Sequence, residues 1–394
     1  MATAPINGAL LVSAPGKVIL HGEHAVVYGK PALASSVDLR CYTLLKPCPS
    51  PTISLDLPDL GLKRSWSLSE LMVVPPEEKL RELAGVGDTP DTGAVACLAF
   101  LYLLTHICGD KLRGGLEVLV VASLPAGAGL GSSAAYSVSL AAALLTHVRS
   151  LQPPTLVDST HSLAHPLEGI LSKLIGGCGP VSVWGEEDLT TINKWGFEAE
   201  RLIHGQPSGI DNSISTFGGA ISFKAGQITK LKSMPRLRVL LVNTQVPRST
   251  KKLVAGVRER REKFPSLVDH ILDAMESLVN TAMESFHDME SHDSHMTPSY
   301  QRLQELFTIN HHLLNALGVG HSSLDHVCEI VTKFGLSGKL TGAGGGGCAI
   351  ALLPPDTTPE VVEECSTALT EAGYKCWSTL VGTRGVCQHS LDTS

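Results

Sequence analysis

The stretch Pro125-Ala-Gly-Ala-Gly-Leu-Gly-Ser-Ser-Ala-Ala135 constrains this chain more than any other. The apolar run Leu116–Ala122 before it reads as a strand, and Ser132 to about Val148 after it reads as a helix. Glycines at 127, 129 and 131 let the backbone close on an anion, and the N–H groups and dipole at the start of the helix favour negative charge there. Ser132 and Ser133 stand where a hydroxyl either caps the helix or ligates a phosphate-bound Mg²⁺. An ordinary tight turn with a serine cap is the plainer alternative; three glycines in so short a span favour phosphate. Gly129-x-Gly131-x-x-Ala134 also fits a relaxed dinucleotide fingerprint, but the acidic residue expected ~20 positions on is Asp158, in a Pro-rich stretch with no strand before it. No G-x-x-x-x-G-K-[ST], H-R-D or D-F-G occurs in the chain, which excludes a P-loop and a protein kinase.

Any phosphate must be held locally, because the net charge of −7 supplies no basic field for nucleic acid or an anionic membrane. With 43% hydrophobic and 18% charged residues the composition is globular, and 394 residues fit two domains. Strands are expected at Ala9–Ser13 and Val18–Leu20 around an Ala-Pro-Gly-Lys turn, then over Ala32–Leu45, Ile53–Leu57, Ala220–Phe223 and Leu237–Val242. Ala94–Cys108 reads as a buried helix, residues 187–203 as another, and 205–213 as a loop. Helices dominate after about residue 250, and the end reads strand–helix–strand over Cys348–Leu353, Glu360–Ala372 and Lys375–Val381. Residues 150–184 read as a long Pro/Gly-rich connection. The mixture lacks strict βαβ alternation, which predicts an α+β fold of two parts, 1–228 and 229–394. Ten scattered cysteines without a C-x-x-C predict reduced thiols. An N-terminus with no basic region before its apolar stretch, and no apolar run of ~20 residues, predict a soluble, cytoplasmic protein.

Two further motifs carry chemistry. Gly342-Ala-Gly-Gly-Gly-Gly347 is costly to order, so something is expected to pass close to its backbone. In Ala14-Pro-Gly-Lys-Val-Ile-Leu-His-Gly-Glu-His24, Lys17 can set an ammonium beside a phosphate or an acid. His21, Glu23 and His24 match no metalloprotease spacing and read as local hydrogen-bonding or substrate-contacting groups. His287, His292 and His295 read as a solvated face. Glu200, near a helix end, and Asp211 are two acids of the kind that are usually surface charges. The otherwise uncharged, Pro/Gly-constrained loop around Asp211 favours a positioned role, and a phosphoryl transferase needs one carboxylate on Mg²⁺ and often another to accept a hydroxyl proton.

These three motifs, in this order and over nearly the whole chain, resemble the GHMP kinases. Ala14–Ala34, Trp195–Asn212 and Lys339–Cys348 are similar to the branch that acts on (R)-mevalonate, whereas galactokinases typically read P-G-R-V-N-L-I-G-E-H-T-D-Y at the first motif. The resemblance implies a two-domain fold with the active site in a cleft between the parts. It also implies transfer of phosphate from ATP to mevalonate, giving 5-phosphomevalonate for isoprenoid and sterol synthesis. It places Gly127, Ala128, Gly129, Leu130, Gly131, Ser132 and Ser133 around the ATP phosphates and Mg²⁺ on Ser133 and Glu200. Asp211 takes the place of the base and Lys17 that of its partner, which also lies at the nucleotide. Glu23, His24 and Thr250 line the substrate side, and Asp59 lies near the nucleotide base. The family usually has Asn at the position of Asp59 and often Ser at that of Ala122; the stretch 66–94 is shorter than usual and 150–186 longer. A homodimer and feedback inhibition by prenyl diphosphates are further implications. A sugar or phosphomevalonate kinase, a catalytically silent sensor and a nicotinamide oxidoreductase are the alternatives. The presence of Lys17, Ser133, Glu200 and Asp211 together speaks against the sensor.

Overall fold

The structure is a computed structural model that describes residues 8–71, 74–89, 91–125, 127–157, 178–232, 234–291 and 296–391. Its strands are β1 (Leu10–His21), β2 (Ala32–Cys48), β3 (Thr52–Leu57), β4 (Leu62–Ser67), β5 (Gly115–Ala122), β6 (Thr155–Val157), β7 (Cys178–Val183), β8 (Ala220–Lys224), β9 (Gln227–Lys230), β10 (Leu237–Asn243), β11 (Ser337–Thr341), β12 (Cys348–Leu353), β13 (Lys375–Val381) and β14 (Cys387–Leu391). The principal helices are α1 (Thr92–Leu103), α2 (Ser132–His147), α3 (Glu186–His204), α4 (Ile210–Phe217), α5 (Thr250–Lys263), α6 (Pro265–Ser291), α7 (Met296–Ala316), α8 (Ser322–Lys333) and α9 (Pro359–Glu371). Strands and helices mix as the α+β expectation requires.

All the described strands join one sheet, with the path β11-β12-β10-β13-β2-β1-β14-β7-β6. Strand β2 is its hub: Ala32–Ser35 pair with β8, Cys41–Cys48 with β5, Val37 with β13, and nearly its whole length with β1. The pairings are antiparallel except that β3 runs parallel to β5. The chain returns at its end: β14 lies against β1, with Leu11 opposite His389. Helix α2, rich in Ala, Leu and Val, is buried from Ala134 to Leu145, packed between α3 and the β1–β2 pair.

Four local expectations are corrected. The Ala-Pro-Gly-Lys segment is not a turn, because β1 runs through it with a register shift between Pro15 and Gly16, a bulge that takes the proline without ending the ladder. Residues 210–213 of the expected loop already belong to helix α4, which starts after Gly209 in the left-handed conformation. The first helix runs on through a π turn, Leu104–Cys108, to Lys111, so Thr92–Lys111 is long and apolar enough by length and composition to cross a membrane. That helix is a core element here: Cys97 to Leu104, with the exception of Tyr102, are buried in the main hydrophobic cluster. Strands β4, β9, β11 and β14 were not foreseen, being short or polar. Of the connection 150–184, strands β6 and β7 are seen, and residues 158–177 lie outside the described residues, as do His292 and His295.

Arg40 on β2 holds the returning C-terminal segment. Its guanidinium donates to the carbonyls of Arg384 (3.1 Å) and Gly385 (2.6 Å) and to the Ser13 hydroxyl (2.8 Å), and it pairs with Asp38 at 3.4 Å. Replacing it with Met strands those buried acceptors, and we expect a loss of about 3 kcal/mol, read as a lower midpoint in thermal or urea unfolding. A change below about 0.5 kcal/mol would contradict this account of the C-terminal anchor.

Candidate active site

The loop between β5 and α2 is shaped by alternating glycines, with φ of 69° at Gly127, 74° at Gly129 and 72° at Gly131. At Gly131 the left-handed backbone coincides with close packing, since a Cβ there would sit 2.9 Å from Lys17 Cγ. Any other residue costs both strain and a clash. Gly131 caps α2 without a side-chain hydrogen bond, so neither serine caps the helix and its first N–H groups stay open toward the loop. The Lys17 N–H donates to Leu130 O at 2.8 Å, which fixes the loop against β1 just beyond its bulge.

The sequence-predicted residues divide into three sets. Lys17 and Asp211 meet at the loop: Lys17 Nζ is 3.0 Å from Asp211 Oδ1. Asp211 reaches there from the first turn of α4, which is itself tied to the β1 bulge by Ser215 Oγ donating to Pro15 O at 2.8 Å. Ser133 and Glu200 form a second pair, the hydroxyl donating to Glu200 Oε2 at 3.2 Å, while Ser137 Oγ donates to Oε1 at 3.4 Å. His204 Nε2 stands 3.1 Å from Ser133 Oγ and 3.7 Å from Glu200 Oε2.

Burial, with the negative charge of Asp211 second, pushes the Glu200 carboxyl up to about 7. Two oxygen donors, a hydroxyl and a carboxylate, suit a hard cation, and a divalent ion there would offset the desolvation that raises the carboxyl. Among the described residues no cluster of three or more His, Cys, Asp or Glu could hold a metal. A hydroxyl and a carboxylate fit Mg²⁺, which usually takes few protein ligands and the remainder from water and phosphate oxygens.

The third set lies at the second glycine loop. His24, in the left-handed region at φ 59°, places Nε2 2.8 Å from Ala343 O; a carbonyl only accepts, so Nε2 carries the proton. Burial lowers the His24 pKa and keeps the ring neutral. Glu23 faces inward: its carboxylate pairs with Lys339, both side chains fully buried, and accepts from Asn310 Nδ2 at 3.0 Å. Thr250 is exposed at the start of α5. Asp59 accepts from the Ala122 N–H at 2.7 Å, holding the end of β5 beside the phosphate loop. What passes close to the 342–347 loop is in part the protein itself, since a Cβ at Gly344 would lie 2.0 Å from Val319 O and one at Gly347 2.8 Å from the Arg248 side chain.

Three neighbours were missed: Ser137, His204 and Arg248. Ser137 and His204 follow Ser133 and Glu200 by four residues on their helices, a spacing that puts each pair on one face. Arg248 is the one charged residue between Val239 and Thr250, the kind of isolation that singled out Asp211.

The raised Glu200 carboxyl sets a pH dependence. The folded protein binds this proton more tightly than the unfolded chain, so the stability it adds is present below the ordinary value of 4.5 and is lost as pH rises through about 7. Without metal or nucleotide, the melting temperature of the native protein is expected to fall relative to that of Glu200→Gln between about pH 5 and about pH 8. Parallel pH profiles for the two proteins would contradict the assignment.

Comparison with known proteins agrees with this geometry. Residues 94–186 match the GHMP kinases N terminal domain and residues 282–374 the GHMP kinases C terminal family. The mevalonate kinase of Mus musculus is 46% identical over 98% of this chain and 96% of its own, and that of Arabidopsis thaliana 36% over 94% and 97%. Among solved structures, L. major mevalonate kinase in complex with R-mevalonate superposes with a TM-score of 0.67 at 22% identity, covering 95% of this chain and 96% of that one. Lactococcus lactis galactokinase with galactose gives 0.61 at 18% identity, covering 97% and 95%. The fold, the glycine loops and full-length identity to mevalonate kinases agree, and the chain belongs to the mevalonate kinase family of the GHMP kinases.

Proposed function

We infer that this chain phosphorylates (R)-mevalonate at its C5 hydroxyl with ATP as donor, giving 5-phosphomevalonate and ADP. One observation carries the chemistry: a carboxylate, Asp211, paired at 3.0 Å with an ammonium, Lys17, beside the open start of α2. The open N–H groups of that helix and the 127–131 backbone hold the triphosphate, so its terminal phosphorus lies close to the Lys17–Asp211 pair. The hydroxyl oxygen attacks that phosphorus as the bond to the ADP oxygen breaks, and Asp211 accepts the hydroxyl proton. Lys17 orients Asp211 and carries positive charge toward the oxygens on which negative charge accumulates. Ser133 and Glu200 hold Mg²⁺, which when bound supplies charge neutralisation at the phosphate oxygens. His24 and Lys339 keep the second glycine loop in register with β1, the first through Ala343 and the second through Glu23.

ADP release measured with mevalonate, phosphomevalonate and galactose identifies the acceptor; turnover on mevalonate alone is expected, and turnover confined to either of the others would overturn the reading. Asp211→Asn is expected to bind ATP within about twofold of the native protein and to turn over roughly 10²–10⁴ times more slowly. Near-native turnover in that variant would remove Asp211 from the role of base.

A further inference from the structure

Arg248 stands between the two glycine loops, and the transfer scheme above makes no use of it. It follows β10 in the chain, just before α5, so it comes from the second half of the sequence while the phosphate loop belongs to the first. Its Nη2 donates to Ala128 O at 2.9 Å and its Nη1 to Thr341 O at 3.4 Å. Both loops are glycine where the guanidinium passes: a Cβ at Gly129 would lie 1.9 Å from Nη2, and one at Gly342 3.2 Å from Nη1. The side chain is half-buried, and among the described residues no carboxylate lies within 4.0 Å of it. A cation half withdrawn from water, whose hydrogen-bond partners among the described residues are two carbonyls, gains when an anion joins it.

The charges around the loop point to that anion. Lys17 is already matched by Asp211. Arg248 is then a cation beside the loop that no carboxylate among the described residues matches. A guanidinium offers several donors in a fixed fork, the geometry that suits phosphate oxygens. We propose that Arg248, set between the two glycine loops, binds the terminal phosphates of the nucleotide. The assignment rests on the nucleotide reading of the 127–133 loop. It gives the enzyme a means of distinguishing ATP from AMP by phosphate number and makes Arg248 the contact that carries this information between the two halves of the chain.

Calorimetric titration of ATP, ADP and AMP in the presence of Mg²⁺ tests this on the full chain. Arg248→Gln keeps amide donors for the carbonyls but removes the charge. We expect its affinity for ATP to fall by at least about 30-fold, with AMP and mevalonate affinities changed less than about twofold. Arg248→Lys keeps the charge and is expected to hold ATP within about fivefold of native, with a loss still larger for ATP than for AMP. Native ATP affinity in the Gln variant, or equal weakening of ATP and AMP, overturns the assignment and leaves Arg248 a loop scaffold. If the Gln variant does not fold, the Lys variant decides by the same comparison. Failure of the native protein to bind ATP sinks the nucleotide reading itself; native ATP binding and mevalonate turnover beside an unaffected Gln variant sink the Arg248 assignment alone.

Discussion

The ion pair between Lys17 and Asp211 is where three otherwise separate parts of the chain become one site. Lys17 lies on β1 just past the Pro15–Gly16 bulge, Asp211 on the first turn of α4, and the Lys17 N–H closes on the phosphate loop at Leu130. Ser215 fastens α4 back to Pro15, so the bulge is gripped from both sides. Neither side chain is sealed from solvent, the exposures being 13% and 33%, and a partly exposed pair adds little to stability. Its value is positional. It holds a carboxylate and an ammonium in fixed relation to an open helix start, and such preorganised charge is what phosphoryl transfer requires.

The second glycine loop is held by different means. Thr341 Oγ1 accepts from the Ile19 N–H and donates to the Ile19 carbonyl, and His24 and Arg248 hold the carbonyls of Ala343 and Thr341. Beneath them the fully buried Glu23–Lys339 pair joins the end of β1 to β11, with Asn310 of α7 completing the carboxylate's partners. A buried pair of this kind is poor evidence for added stability, but removing either partner strands a charge, so it fixes the relation of the two strands. The candidate site is thus built from polar groups held by other polar groups, while α1 and α2 contribute to the main hydrophobic cluster.

Elements whose residues agree locally with their final environment were legible from sequence. Helices α2 and α3, the strand before the phosphate loop and the long helices after residue 250 announce themselves by periodicity, length and flanking glycine. The α4 helix did not, because its eight residues, Ile-Asp-Asn-Ser-Ile-Ser-Thr-Phe, are mostly poor helix formers; tertiary packing against α2 and β1 decides it. Strand β14 was equally opaque, since pairing with a strand more than 370 positions away leaves no local trace. Within the site, residue types and isolation marked Lys17, Ser133, Glu200 and Asp211. They could not show that Glu23 turns into the core, because its partner Lys339 lies more than 300 positions on.

The central claim is that Lys17 and Asp211 act on the transferred group as one unit, and a double-mutant cycle on turnover tests it most directly. If they do, the Lys17→Met/Asp211→Asn double variant should turn over within about threefold of the slower single variant, since the first substitution already dismantles the unit. Losses that multiply, with the double variant slower by the product of the two single effects, would show two independent residues and contradict the account.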